Sequence, residues 1–174
     1  PAVILGMTTI LNAQSDMHVT RAAATVEALL RNGDAFDLIL LDLVLADSST
    51  PIENMRRLKA SEAPVLAFTS GDQPQLVREV ARAGAMGMIR KSEMASTIVR
   101  TIRAVLQGEP MPTPEWAAAL LSDRAFVSAE LTVRESEVLV LYASGETAER
   151  VADHLFVARA TVIDHIRRIR AKYA

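Results

Sequence analysis

The sequence contains no cysteine. Disulfides, thiolate catalysis and cysteine-ligated zinc are therefore excluded together, and the composition fits a reducing cytoplasm. Neither sign of charge dominates. Nineteen Lys and Arg face 21 Asp and Glu, for a net charge of −2 and a pI near 6.0. There is no global pull toward nucleic acid or an anionic membrane, so any basic site must be local. No apolar run reaches the roughly 20 residues of a membrane span, because Asp42 and Asp47 interrupt the best candidate. The opening PAVILGMTTIL has no positive n-region and does not read as a signal peptide. His18, His154 and His165 show no ligand spacing, and there is no internal repeat or low-complexity tract.

What is present is a folded composition. Half of the 174 residues are hydrophobic and 23% are charged, enough core for one medium domain or two small ones. Residues 2–11 place Val3, Met7, Ile10 and Leu11 on one helix face. A short extended piece over 17–20 precedes a helix over 22–31, which Asn32-Gly33 ends. Residues 37–43 and 64–70 (PVLAFTS) are continuous apolar strands of the kind buried on both faces of a parallel sheet. Helices over 53–59 and 73–83 follow them. MGMIRKS is a third short strand, and Met94, Ile98, Ile102 and Val105 mark a helix over 93–106. Strands alternating with helices imply an open parallel α/β sheet, whose chemistry sits at the carboxyl ends of its strands.

One of those ends is peculiar. In DLILLDLVLAD, Asp42 interrupts an apolar run, and an ionised carboxylate buried without a partner is costly. Thr69 and Lys91 also fall at strand ends. If the ends converge, Asp42 lies at the rim of a cleft beside a hydroxyl and an ammonium. An Asp, a Thr and a Lys so placed form a phosphoryl acceptor. The carboxylate is the nucleophile, the Lys neutralises developing charge and the Thr donates to a phosphoryl oxygen. Any one of them alone would be an ordinary strand terminus; the three in order favour the functional reading.

The order LILLDL, PVLAFTS, GAMGMIRKS resembles the receiver domain of two-component response regulators, over residues 1–106. The resemblance implies a flavodoxin-like, doubly wound parallel sheet. It makes Asp42 the phosphoacceptor, Thr69 and Lys91 the phosphate-binding pair, and Mg2+ the cofactor, held by Asp42 and the Val44 backbone carbonyl. The acidic pair that completes a receiver's metal site has no match. It is expected, with the first strand, immediately before Pro1, as part of a longer chain. Two departures lie inside the match. Ala46 stands where a proline is usual, and Met88 stands at the switch position normally held by an aromatic, which puts the usual threonine-to-aromatic switch in question.

Residues 107–128 hold three prolines in five residues and read as a linker, with a short helix near Trp116–Leu121. Residues 129–174 read as all-helical. Thr132 and Glu135 form a capping box ahead of a helix bearing Val133, Val138, Leu139, Leu141 and Tyr142. Thr147 caps a second helix, residues 156–158 make a tight turn, and residues 159–173 form a third helix. This is a helix-turn-helix. The third helix carries Arg159, Arg167, Arg168, Arg170 and Lys172 against Asp164, while Val162, Ile166 and Ile169 form its apolar stripe. On charge alone, a solvated amphipathic face explains the arginines equally well.

LTVRESEVLVLYASG and VADHLFVARATVIDHIRRIRAKY resemble the LuxR-type helix-turn-helix of NarL/FixJ response regulators. That resemblance implies DNA contacts from Thr147, Arg159, Thr161, Ile163, Asp164, Arg167, Arg168 and Lys172, with positions 163, 164 and 167 facing base edges. Ile163 replaces a usual lysine, Asp164 a neutral or amide side chain, and Glu149 stands where a lysine is common. Ile163 would suit a thymine methyl and Asp164 a cytosine amine. A further helix, which pairs two such domains, is expected after Ala174. The whole then reads as a cytoplasmic, non-enzymatic, DNA-binding response regulator. A histidine kinase would phosphorylate it, and it would act as a homodimer on double-stranded DNA with no membrane partner. Two alternatives are a phosphorylation-independent regulator with a vestigial receiver and a small aspartate-nucleophile phosphatase. The second lacks the acid such enzymes need two residues after the nucleophile, where Val44 stands.

Overall fold

The computed structural model describes residues 2–70 and 73–174. Strands β1 (Ile39–Asp42), β2 (Val65–Thr69) and β3 (Gly87–Arg90) form a parallel sheet in that order. Every residue of β2 is buried, as expected of a strand covered on both faces. Its side chains alternate between two apolar clusters. Leu66 and Phe68 join Ile89 and the inner face of α5 (Ala95–Leu106), with Met7 and Leu11 of α1 (Ala2–Asn12) against them. Val65, Ala67 and Met88 join α3 (Pro51–Leu58) and α4 (Pro74–Arg82) on the other face. The edge of β1 away from β2 carries no strand among the described residues. A groove of about 510 Å³ runs beside it, lined by Met7, Leu11, Met17, Leu40, Phe68 and Ile102 among others.

Local capping decides several boundaries. The helix expected over 22–31 shrinks to α2 (Val26–Leu30), because the Thr25 hydroxyl accepts the N–H of Ala28 and starts the helix there. Ala22 to Ala24 stay irregular despite their high helix propensity, held near Asp34 by the Arg21–Asp34 ion pair. Residues 17–20 join no strand. Ahead of α3, Thr50 and Glu53 make a reciprocal capping box. Three residues assigned to apolar faces are exposed instead: Val3, Met94 and Val133, each lying in the first turn of its helix or just before it.

The second half is helical. Helices α8 (Val133–Ala143), α9 (Ala148–Leu155) and α10 (Arg159–Tyr173) pack around Val138, Leu139, Val151, Val162, Ile166 and Ile169. The turn between α9 and α10 is closed by Phe156 in the left-handed region (φ 53°), with the Val157 N–H reaching the Ala152 carbonyl.

Residues 107–128 are more than a spacer. They contain α6 (Pro114–Leu121), and α7 (Arg124–Glu130) begins within them. Helix α6 packs against α4 on one side and α8 on the other, with Trp116, Ala117, Ala119 and Leu120 buried. One apolar core therefore runs without a break from Val26 to Tyr173. Polar contacts reinforce it. Arg78 donates to the Ser122 hydroxyl (2.9 Å), Arg82 pairs with Asp123, and the Tyr173 hydroxyl donates to the same carboxylate (3.3 Å). The Phe126 and Tyr173 rings meet edge to face at 4.5 Å.

The connector also touches the sheet. Gly87 bridges Met111, and a Cβ on Gly87 would lie 2.7 Å from the Met111 carbonyl oxygen. Gly87→Ala should therefore lower the urea-unfolding free energy by about 1–3 kcal/mol. Gly6→Ala, inside α1 with no atom within 4 Å of the new Cβ, should leave it unchanged or raise it by up to about 1 kcal/mol.

Candidate functional site: a carboxylate at the sheet edge and a guarded basic helix

The parallel register brings the three polar strand ends to one edge. Asp42 pairs with Phe68, Thr69 pairs with Arg90, and the Lys91 N–H donates to the Thr69 carbonyl at 2.8 Å. Lys91 Nζ lies 2.6 Å from Asp42 Oδ2, and the other carboxylate oxygen accepts the Val44 N–H at 3.1 Å. Both side chains of the pair are nearly a third exposed, so the carboxylate is reachable from solvent. Thr69 is buried at the adjacent strand end. Asp42 is thus neither orphaned nor sealed in. Its oxygens face an ammonium that can offset the charge of a transferred phosphoryl group. Met88 is fully buried, with its side chain in the cluster shared by α4 and α6.

For a cation, Asp42 and the Val44 carbonyl are oxygen donors of the kind magnesium takes, but magnesium needs more ligands than these two. No group of three His, Asp or Glu side chains comes together among the described residues. The described residues do not by themselves make a magnesium site.

A polar tie leads from this edge into the connector. Arg90, opposite Thr69 in register, pairs with Glu115 of α6 at 3.0 Å. Nothing in the sequence pattern joins these two residues, which lie 25 positions apart.

The basic helix α10 is the second site. Thr161, Asp164, Arg167 and Arg168 are exposed, as is Thr147, whose hydroxyl accepts the Arg150 N–H as the cap of α9. Arg159 is held by Glu149 at 2.8 Å and by Glu109 at 3.1 Å. These carboxylates, Glu109 foremost, push the guanidinium pKa up. Glu149 is pulled down by its own backbone N–H and by Arg159. Arg167 donates to Asp164 at 3.0 Å and to the Gly108 carbonyl at 3.2 Å. The connector residues Gly108 and Glu109 therefore sit on the arginines expected to meet DNA.

Two of the residues expected at DNA are engaged within the fold as described. Ile163 is buried rather than presented. It shares a face with Arg159 and Arg167, at i−4 and i+4, and both of these are engaged by the connector. Lys172 is committed inside its own domain, donating to the Glu130 carbonyl and to Glu135, each at 2.8 Å. Glu135 is itself buried. Burial pushes its carboxyl up, but the Lys172 ammonium and the N–H and hydroxyl of Thr132 outweigh that and leave it below its ordinary value. Residues 108 and 109 were not visible as functional from sequence, because a proline-rich stretch gives no sign of which distant helix it crosses.

Residues 1–103 match the family model of the response regulator receiver domain, and residues 129–173 match that of bacterial regulatory proteins of the luxR family. The chain is a response regulator with a luxR-type domain. Its relatives include the transcriptional regulatory protein LiaR of Bacillus subtilis, 31% identical over 180 residues that span 98% of this chain and 85% of LiaR. They also include the response regulator protein VraR of Staphylococcus aureus, 28% identical over 98% of this chain and 84% of VraR. Among solved structures, the response regulator ChrA of a heme-sensing two-component system is 28% identical, with a TM-score of 0.58 over 99% of this chain and 85% of ChrA. RcsB dimers bound to DNA share the fold at 19% identity, with a TM-score of 0.62 over 95% of this chain and 83% of RcsB. LiaR among these relatives is a transcriptional regulatory protein, and none of the described helices of this response regulator is long and apolar enough to cross a membrane.

Close to the guarded face, Tyr142 of α8 is buried, which pushes its phenol up to about 12, Arg159 opposing and Glu149 adding to the effect. A raised acid pKa means that the fold favours the protonated phenol. That preference is fully present below pH 10 and is lost as pH rises through 12. The unfolding free energy of the wild type minus that of Tyr142→Phe should fall by up to about 1.4 kcal/mol per pH unit across that window, measured by urea titration at successive pH values.

Proposed function

We propose that this response regulator is a phosphorylation-gated, cytoplasmic transcription factor that a histidine kinase activates at Asp42. One observation carries the reading. The recognition-helix arginines Arg159 and Arg167 are engaged by Glu109 and Gly108, while the same connector is anchored through Glu115 to Arg90, beside the Asp42–Lys91 pair. A carboxylate oxygen of Asp42 attacks phosphorus, the bond from phosphorus to the donor breaks, and an acyl phosphate forms. The new group adds up to two negative charges. Lys91 and Thr69 turn toward it, the strand end bearing Arg90 shifts, and α6 loses its tie. Freed α10 arginines then engage DNA phosphates and bases, and two copies bind two half-sites as a symmetric dimer. Magnesium is the cofactor this family reading calls for, with Asp42 and the Val44 carbonyl among its ligands.

The burial of Met88 in the α4 cluster favours a second reading. With no aromatic to swing inward, the receiver would serve as a scaffold and DNA binding would ignore phosphorylation.

Intact mass after incubation with acetyl phosphate and magnesium separates the two. A gain of about 80 Da, lost in Asp42→Asn, is expected, together with tighter binding to duplex DNA. Glu109→Gln, which removes a carboxylate from Arg159, should strengthen DNA binding without phosphorylation. An affinity unmoved by both treatments would leave the scaffold reading.

A further inference from the structure

The loop that follows Asp42 is anchored at both ends. At its start the Leu43 N–H donates to the Phe68 carbonyl at 3.3 Å, and the Leu43 side chain is buried. At its far end the Ser49 hydroxyl donates to Asp47 Oδ1 at 2.6 Å, and the Ser49 N–H reaches the same oxygen at 3.1 Å. Asn54 Nδ2 of α3 then donates to the Ser49 hydroxyl at 2.9 Å. Between the anchors the Ser48 N–H closes a turn onto the Leu45 carbonyl at 3.2 Å, with Ser48 in the left-handed region (φ 56°), uncommon for a serine. Val44 lies in this span, and its N–H is the donor to Asp42 Oδ1. Asn54 is the costly member. It is fully buried, and its Oδ1 has no hydrogen-bond partner among the described residues. Burying an amide is unfavourable unless its groups are bonded. An apolar side chain would fill that place on α3 with nothing left unbonded, so what the amide adds is its bond to Ser49.

We infer that Asp47, Ser49 and Asn54 are positioning residues for phosphoryl transfer to Asp42. Their relay fixes the loop so that the Val44 N–H grips one carboxylate oxygen while Lys91 grips the other. This role rests on the reading of Asp42 as a phosphoacceptor and deepens it. A carboxylate held from both sides enters the reaction already oriented, and orientation supplies much of the rate of such a transfer. The two grips differ in what steadies them. Lys91 is fixed at a strand end, where its N–H meets the Thr69 carbonyl. Val44 is exposed and depends on the loop. Ala46 is the second residue of the turn over residues 45–48, the position where the fixed φ of a proline would stiffen the backbone by itself. With alanine there, the stiffness comes from side chains: Asp47 and Ser49 lock to each other, and buried Asn54 ties both to α3.

The test is the rate at which the full chain gains about 80 Da from acetyl phosphate with magnesium, whose acetate leaves with the electron pair of the broken P–O bond as Asp42 attacks. It is paired with the NMR order parameter of the Val44 amide. Ser49→Ala should slow the gain by roughly 10- to 100-fold. The Val44 order parameter should fall from about 0.85 to below about 0.6, with the β2 amides unchanged. Asp47→Ala, made at an exposed position and so without cost to the core, should act in the same direction, and Asp47→Asn, which keeps an oxygen for Ser49, should recover most of the rate. Adding Ala46→Pro to Ser49→Ala should bring back both the rate and the order of Val44. A wild-type rate in both Ser49→Ala and Asp47→Ala overturns the assignment. So does slowing while Val44 stays ordered, or a loss of order that spreads through β2 in Asp47→Ala. A wild-type chain that gains no mass overturns the phosphoacceptor reading itself, and the assignment with it.

Discussion

The molecule depends on a connector helix that is apolar nearly all the way round. In PEWAAALL, Trp116 and Leu120 supply bulk, while Ala117 and Ala119 let neighbours approach closely, and all four are buried. The apolar faces of such a helix have to be covered, and here only Pro114 and Ala118 are exposed. Helix α4 of the sheet half and α8 of the helical half cover it. Fully burying even one large apolar side chain stabilises by about 1.5–3 kcal/mol, comparable to or larger than the individual polar contacts around it. The Arg82–Asp123 pair and the Arg78–Ser122 hydrogen bond therefore set orientation more than they set stability.

That packing gives the two chemical sites a mechanical relation. The connector passes Gly108 and Glu109 over the basic helix, meets the sheet at Gly87 through Met111, and continues as a helix tied by Glu115 to the strand that precedes Lys91. Under the proposed gating, a change of charge at Asp42 and exposure of α10 are two readings of where this segment lies. Individually its polar contacts are weak, since exposed ion pairs contribute about 0–1 kcal/mol each. Such contacts suit a guard that must be displaced more than they suit a permanent lock.

Much of this was legible in the sequence, for identifiable reasons. Continuous apolar runs located all three strands, and polar residues closing those runs located Asp42, Thr69 and Lys91, because period and burial are local properties. The capping box at Thr132 was equally plain. What the sequence hid were partners at long range. The resemblance placed Lys172 among the DNA contacts, and only the fold brings it to Glu135, 37 positions away. Ile163 was placed at base edges by the resemblance alone, and only the fold shows it buried. The short α2 shows the opposite failure. High propensity over Ala22 to Ala24 gave way to the hydrogen bond that Thr25 makes to the Ala28 N–H.

The unbroken core from Val26 to Tyr173 bears on how such a chain diversifies. Two-part regulators invite the view that either half can be exchanged by recombination at the stretch between them. Here a crossover inside residues 107–128 would strip Trp116 of one wall and leave the other half with a hole of matching shape. A viable graft has to carry α6 together with the surface of α4 that receives it, so the inherited unit is larger than either domain and its seams lie away from the prolines.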